Sequence, residues 1–238
     1  MQNQQTECIK TKKRTRLEWS MRIALYLLGL FILAFGVSIS VLSGLGVSPV
    51  SSIPYVLSEV TKMDLGSMTF IVFVLYVLIQ MVILKKDFQF LQLLQIACAA
   101  LFGRFVSLTT SLLSGWMPLS YFERLIMIFL STVLIAVGIY LYLLAKIVPQ
   151  AAEGLVQTIA NSRNWKLSNV KNAFDLLCIS VAAVISLVAF GTVIGLREGT
   201  IIAAVGVGRC LKVLGNADNG RLHCFVYGTL NKDKEIPI

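Results

Sequence analysis

The sequence predicts an all-α polytopic membrane protein of about six transmembrane helices. Three observations lead to this fold class: the composition, a series of apolar runs, and the alternation of basic residues between them. Hydrophobic residues make up 57% of the 238 residues and charged residues only 14%, and the mean hydropathy is +0.81. A soluble domain must cover its surface with polar groups, so this composition excludes a soluble catalytic domain.

A helix that crosses a bilayer needs about 20 predominantly apolar residues. Six runs meet or approach this length, and the last is the weakest because it is short and rich in glycine. The first follows a basic stretch but is too long for the apolar region of a signal peptide, so it is expected to remain as a helix. The runs cover residues 22–43, 68–84, 91–113, 125–145, 170–190 and 200–214.

The formal net charge of +9 would suit nucleic acid, but the basic residues lie at the ends of apolar runs, so nucleic acid is excluded as a partner. They alternate between strongly and weakly basic connections along the chain. The strongly basic segments are residues 1–21, 85–86, 146–171 and 212–234. Under the positive-inside rule, this pattern predicts six spans in a bacterial cell membrane with both termini cytoplasmic.

A weak duplication appears when the chain is shifted by about 102 residues. Ala34 and Gly36 in the first apolar run then fall on Ala136 and Gly138 in the fourth. Because each unit has three spans, its second copy must enter the membrane from the other side, which gives the inverted repeat common among secondary transporters. The alternative is the self-similarity of any six hydrophobic helices. The predicted organisation is a basic tail (1–21), two three-helix repeats (22–114 and 122–215) and a cytoplasmic C-terminal tail (216–238).

A connector of about 20 residues follows the first and the fourth run. Each contains a glycine or proline start and then a short amphipathic helix, predicted over residues 50–60 in the first connector and from Pro149 in the second. The default interpretation is a helix lying flat at the membrane interface. In the alternative, the helix enters the membrane and lines a polar cavity, with its N-terminal amides facing a ligand. The polar residues concerned are Ser48, Pro49, Ser51, Ser52, Glu153 and Gln157.

Charged residues inside a span cost about 2.5–3.5 kcal/mol each at the helix centre, so each needs an explanation. Asp175 is a candidate cation or proton site, although a pair with Lys171 one turn earlier would also explain it. Arg104 is expected to have a partner, with Asp175 and Glu153 as candidates. At the start of the sixth helix, Arg197, Glu198 and Thr200 form either a helix start favoured by the dipole or an outer gate or anion contact.

Four stretches carry a resemblance to a known group: residues 44–58 (GLGVSPVSSIPYVLS), 91–96 (LQLLQI), 171–175 (KNAFD) and 195–200 (GLREGT). In these the chain resembles the YczE/YyaS/AitC family of bacterial membrane proteins, which is allied to YitT-like proteins. The resemblance implies a polytopic membrane protein whose biochemical activity is not established. It also implies an acidic residue late in the third helix, which residues 104–107 (RFVS) do not provide.

Two function classes follow from the sequence. A small secondary transporter or permease fits the repeat, the mirrored connectors and the intramembrane charges, whereas a non-transporting scaffold or regulator fits the sparse polar groups. The lipid bilayer is the partner that the composition requires, and a small molecule or ion, or a second copy of the chain, is a further candidate. Its candidate pathway residues are Ser48, Pro49, Ser51, Ser52, Arg104, Glu153, Gln157, Asp175, Arg197, Glu198 and Thr200.

No enzyme, cofactor or metal site is predicted. The chain contains neither a zinc-protease H-E-x-x-H pattern nor a P-loop. Its single histidine, His223, cannot form a multi-histidine metal site, and the five cysteines are scattered without a CxxC pair.

Overall fold

The computed structural model is entirely helical in the part of the chain that it describes, which comprises residues 15–85, 88, 90–116 and 120–218. A short 3-10 helix, Phe90–Leu93, precedes the fourth α-helix. The eight α-helices are α1 (Thr15–Ser43), α2 (Pro49–Thr61), α3 (Leu65–Leu84), α4 (Leu94–Leu113), α5 (Tyr121–Ala145), α6 (Ala151–Arg163), α7 (Leu167–Phe190) and α8 (Glu198–Asp218).

Six of these helices, α1, α3, α4, α5, α7 and α8, are long and apolar enough to cross a membrane. The prediction of an all-α polytopic membrane protein with about six spans is therefore confirmed. The bundle has two ends. We call the end where α1, α4 and α7 begin and α3, α5 and α8 finish the basic end, because Arg22, Lys85, Lys146 and Lys166 lie there.

Polar capping residues make several helices longer than the apolar runs predict. Ser120 and Glu123 form a capping box, in which the Ser120 hydroxyl accepts from the Glu123 N–H and the Glu123 carboxylate accepts from the Ser120 N–H. This pair starts α5 within a segment that hydropathy assigned to a loop. Likewise the Asp64 carboxylate accepts from the Ser67 N–H at 3.0 Å and starts α3.

The predicted tails fall mostly outside the described residues. Of the N-terminal tail predicted over residues 1–21, residues 15–21 belong to α1 and the rest are not described. Arg22, one residue further on, bridges to α5: its guanidinium donates to the carbonyls of Ala145 at 2.9 Å and Lys146 at 2.8 Å. Of the predicted C-terminal tail, residues 216–218 complete α8 and residues 219–238 are not described.

Helices α1 and α5 cross closely at the centre of the bundle. A Cβ atom added to Gly138 would lie 2.6 Å from the Leu33 nitrogen and 2.8 Å from the Gly29 oxygen. A Cβ added to Gly36 would lie 2.9 Å from the Ile135 nitrogen. Only glycine allows such an approach between two helix backbones. The two contacts also correspond to each other. A shift of 102 residues places Leu33 on Ile135 and Gly36 on Gly138, so the Leu33–Gly138 contact becomes the Ile135–Gly36 contact.

Most other helix contacts also occur in pairs that correspond under this shift of about 102 residues. Helix α1 packs on α4 as α5 packs on α8, and α3 packs on α6 as α7 packs on α2. The hydroxyl of Tyr76 in α3 and the thiol of Cys178 in α7, which are 102 residues apart, meet at 3.7 Å. One pair departs from the pattern, because the extensive contact of α3 with α4 has no comparable counterpart between α7 and α8.

Both connector helices lie inside the bundle. No residue over 49–59 in α2 or over 151–160 in α6 is exposed. The Ser52 hydroxyl donates to the carbonyl of Cys178 at 3.2 Å, and Cys178 is near the middle of α7. The default prediction of a flat interfacial helix is therefore wrong for both segments, because such a helix leaves one face open. The predicted start of the second helix at Pro149 is also corrected, since Gln150 is still extended and α6 begins at Ala151.

The close crossing of α1 and α5 yields a stability prediction. We expect Gly138→Ala to lower the stability of the purified protein by about 1–3 kcal/mol, because the added methyl group forces two backbones apart. Thermal unfolding in detergent, followed by size-exclusion chromatography, measures the effect. The matched control is Gly208→Ala in α8, where an added Cβ meets nothing within 4 Å. Equal unfolding temperatures for the two variants would contradict the assigned packing.

Candidate functional site

A cluster of polar side chains lies buried at the basic end of the bundle, among α3, α4, α5 and α6. Gln80 of α3 is fully buried, and its amide nitrogen donates to the Gln95 side-chain oxygen at 3.0 Å and to the Ala151 carbonyl at 3.1 Å. Gln95 of α4 is also buried. We call this group, with Gln150, Glu153 and Tyr142, the glutamine cluster.

Gly154 brings the backbone of α6 against the two glutamines. A Cβ atom at this position would lie 2.7 Å from the Gln95 amide nitrogen and 3.0 Å from the Gln80 side-chain oxygen. Any larger residue would push α6 away from α3 and α4. The glycine therefore allows the first turn of α6 to form one wall of the glutamine cluster.

The N-terminus of α6 is buried in this cluster. Ala151 and Ala152 are each 1% exposed, and Gln150 precedes them without a side-chain hydrogen bond to cap the helix. The first N–H groups of a helix have no partners within it and carry a partial positive charge. Such a terminus favours an anionic or hydrogen-bonding group beside it.

Several polar atoms in and beside the glutamine cluster have no hydrogen-bond partner. Leaving a buried polar group unpaired costs about 1–3 kcal/mol, and the cost rises in a low-dielectric interior. So many unpaired groups in one place indicate a site that water or a ligand completes. The atoms are the side-chain oxygen of Gln80, the amide nitrogen of Gln150 and Oε2 of Glu153. The hydroxyl of Tyr26 lies beside the Cys98 thiol, and the hydroxyl of Tyr142 lies beside the Glu153 carboxyl group.

Glu153 is the acidic member of the cluster. The residue as a whole is half-buried, but Oε2 of its carboxyl group is buried. This burial raises the pKa of the carboxyl group above the ordinary value, while the positive charge of Lys171 and hydrogen bonds from the Glu153 N–H and the Tyr142 hydroxyl act in the opposite direction. Lys171 also forms an ion pair with Asp175 in α7, with 2.8 Å between the ammonium nitrogen and a carboxylate oxygen. The charge of Lys171 is therefore shared, and burial dominates at Glu153.

The serine residues predicted to line a pathway lie at the start of α2 and make local bonds. The hydroxyls of Ser48 and Ser51 are 2.9 Å apart, and the Ser52 hydroxyl donates to the carbonyl of Pro49 at 2.6 Å as well as to Cys178. Ser52 and Pro49 are buried, whereas Ser48 and Ser51 are half-buried. These hydroxyl groups hold α2 in place and are not brought together with Glu153.

The predicted residues at the start of α8 lie at the opposite end of the bundle from the glutamine cluster. The Gly199 N–H donates to the Leu45 carbonyl at 2.9 Å, and the Val47 N–H donates to the Gly195 carbonyl at 3.0 Å. Glu198 accepts a hydrogen bond from the Tyr121 hydroxyl at 3.2 Å. Beside this contact Arg197 is exposed, and the buried Thr200 hydroxyl has no partner.

The predicted partners of Arg104 are corrected by the structure. Arg104 is exposed on α4, and it forms an ion pair with neither Asp175 nor Glu153 among the described residues. Asp175 pairs with Lys171, the simpler explanation that the sequence offered. Gln157 is half-buried one turn after Glu153 on α6. Of the predicted pathway residues, the structure therefore places Glu153 in the glutamine cluster, with Gln157 beside it.

The sequence analysis missed the residues that surround Glu153. Gln80, Gln95, Gln150, Tyr26 and Tyr142 are uncharged, and the search for intramembrane polar groups considered charged residues. A signal was nevertheless present, because Gln80 and Gln95 are amides within or at the edge of apolar runs. Polar residues of this kind inside spans usually face the protein interior.

A family model described as a family of unknown function (DUF6198) matches residues 20–216 of the chain. No curated protein and no solved structure matches the chain. The matched segment contains four of the six spans in full and all but the outermost residue of the first and the sixth, and it contains every residue of the glutamine cluster.

Burial of Glu153 predicts a pH dependence of stability. In the folded protein the pKa of the Glu153 carboxyl group is raised from 4.5. The folded state therefore binds more protons than the unfolded state as the pH rises above 4.5. Stability should therefore fall as the pH rises from about 4.5 through the raised pKa. We expect Glu153→Gln to remove this part of the decline, as measured by thermal unfolding in detergent across a pH series.

The control for this experiment is Glu59→Gln, which makes the same chemical change in α2 at a glutamate with a more exposed side chain. The stability of Glu59→Gln should fall with rising pH as steeply as that of the unmodified protein. A Glu153→Gln variant whose stability declines with pH as steeply as the unmodified protein would contradict the assigned burial.

Proposed function

The chain belongs to the family of unknown function DUF6198, and from its buried polar cluster we propose that it is a small secondary transporter or permease. The observation that carries this proposal is the glutamine cluster, in which Gln80, Gln150 and Glu153 leave polar atoms without a protein partner inside a bundle of apolar helices. Such groups need water or a ligand to complete their hydrogen bonds. A polar solute or ion that passes through the bundle would pair with them.

The arrangement of the helices supports the same proposal. The reciprocal contacts of Leu33 with Gly138 and of Gly36 with Ile135 are those of two similar halves related by a twofold axis, as in an isologous interface. We propose that residues 22–114 and 122–215 form an inverted repeat. Such halves can exchange conformations and open a site to either side of the membrane in turn.

The proposed site uses the connector helix of the second half. Buried N-termini of short or broken helices commonly face the substrate in secondary transporters, and α6 offers such a terminus next to side chains of α3, α4 and α5. The mixture of unpaired donors and acceptors fits a small polar solute or an ion. No enzymatic step is part of this proposal.

We further propose that the family is related to the YczE/YyaS/AitC group of bacterial membrane proteins. The two most specific stretches of that resemblance, residues 44–58 and 195–200, contact each other through Leu45 with Gly199 and Val47 with Gly195. Their pairing supports the resemblance, because both stretches contribute to one structural element. The proposed location is the bacterial cell membrane.

The orientation of the chain gives one prediction. The basic end should face the cytoplasm, because basic connections are retained there. We expect Lys166→Cys to be labelled by a membrane-impermeant maleimide only after the membrane is opened, and Met63→Cys to be labelled in intact cells. Both positions are exposed and lie at opposite ends of the bundle. The reverse labelling pattern would show that the orientation is wrong.

Transport gives the second prediction. Thermal unfolding of the purified protein should be screened with amino acids, nucleosides, monosaccharides, quaternary amines and monovalent cations. A ligand at 100 times its Kd stabilises the folded state by about 2.7 kcal/mol. The radiolabelled form of a stabilising compound should then enter proteoliposomes by counterflow.

The variants for this test are Gln80→Leu, which removes an unpaired oxygen from the cluster, and Asn161→Leu, at an exposed position of α6. We expect Gln80→Leu to abolish both the stabilisation and the uptake, and Asn161→Leu to keep them. If no compound stabilises the protein or enters proteoliposomes faster than protein-free liposomes, the alternative of a non-transporting scaffold or regulator is favoured.

A further inference from the structure

Glu153 differs from the other acidic side chains that the structure describes. Glu59 pairs with Lys62, Asp64 accepts from the Ser67 N–H, and Asp175 pairs with Lys171. Glu153 instead has a buried Oε2 without a hydrogen-bond partner.

The groups that face Glu153 come from every helix packed around α6. Helix α7 contributes Lys171 and Asp175, which already pair with each other, and α5 contributes the Tyr142 hydroxyl. Helix α1 contributes Tyr26, whose ring packs edge-on against Tyr142 with 6.1 Å between centroids. The amides of Gln80 and Gln95 on α3 and α4 lie against Gly154, the next residue of α6. No ion pair neutralises Glu153 among these described groups.

Two opposing effects act on the charge of Glu153. The N-terminus of α6 and the nearby Lys171 favour the ionised carboxylate. Burial favours the neutral carboxylic acid. A group held between two such effects changes its protonation state when the surrounding helices move by a small amount. This balance is what a proton-carrying group in an alternating site requires.

A proton suits this site better than a metal cation. The positive end of α6 opposes a cation, and Gly154 holds the backbone against Gln80 and Gln95, so the wall of the cluster is tightly packed. A proton needs no space beyond the carboxyl group itself. Protonated Glu153 also becomes a hydrogen-bond donor, and the oxygen of the Tyr142 hydroxyl beside it is an acceptor.

From these observations we propose that Glu153 carries the proton that drives transport, so that the chain is a proton-coupled carrier. The inference rests on the proposed transporter function. In the step, the Glu153 carboxylate takes a proton from hydronium on one side of the membrane and leaves water. After the halves exchange conformations, the carboxylic acid returns the proton to water on the other side. One O–H bond forms and later breaks, and nothing is oxidised or reduced.

The first experiment detects the proton directly. Full-length protein in lipid nanodiscs is studied by pH-difference infrared spectroscopy, in which a protonated carboxylic acid has its own C=O stretching band. We expect a band that titrates above the ordinary range of a glutamate, disappears in Glu153→Gln and shifts in frequency in Glu153→Asp. Glu59→Gln should keep it. A spectrum without this band, or a band that Glu153→Gln leaves unchanged, would overturn the proposal.

The second experiment separates proton coupling from transport itself. Proteoliposomes are given an imposed pH gradient, and uptake of the compound found by the ligand screen is compared with pH-independent counterflow. We expect the gradient to accelerate uptake by the unmodified protein and by Glu59→Gln, and Glu153→Gln to lose this acceleration. If the unmodified protein transports without any response to the gradient, proton coupling is wrong and the transporter function stands. If it shows neither uptake nor counterflow, both proposals fail.

Discussion

The close crossing of α1 and α5 is the constraint on which the rest of the structure depends. Lipid provides no hydrophobic driving force between helices, so small residues that let backbones approach must supply the packing energy. Gly29 and Gly138 do so at the centre of the bundle. This contact sets the positions of α4 and α8, which pack on α1 and α5 respectively. Together these four helices form the frame against which α3, α7 and the two connector helices are placed.

The buried polar cluster is a consequence of this frame. A membrane bundle must pair its polar groups internally because lipid cannot, and the fold does so for Ser38 with Thr109, whose hydroxyl oxygens are 2.7 Å apart, and for Ser52. Around Glu153 this pairing is left incomplete, as it also is at Thr200 near the opposite end. The cluster differs in lying next to a buried helix N-terminus, where a group that both donates and accepts hydrogen bonds would be favoured.

The sequence predicts the spans well and the interior poorly, for physical reasons. Hydropathy identifies each span because every residue of an apolar run contributes to it. The direction in which one side chain points is not determined in this way, because a nearly uniform apolar helix has no unique face. Arg104 is the example: its position in α4 was predicted, but its exposure was not. The glutamine cluster joins Gln80, Gln95, Tyr142 and Glu153 from four helices, and no local pattern links positions so far apart.

The backbone contact between residues 45–47 and residues 195–199 has a consequence for motion. It joins the loop after α1 to Gly195 in the loop before α8 and to Gly199 in the first turn of α8, through two hydrogen bonds between main-chain groups. Each bond contributes about 0.5–1.5 kcal/mol net, and more where water is scarce. If the two halves separate as proposed, both of these bonds have to break at this end of the bundle. Any substitution that weakens the contact would then change how readily that end opens.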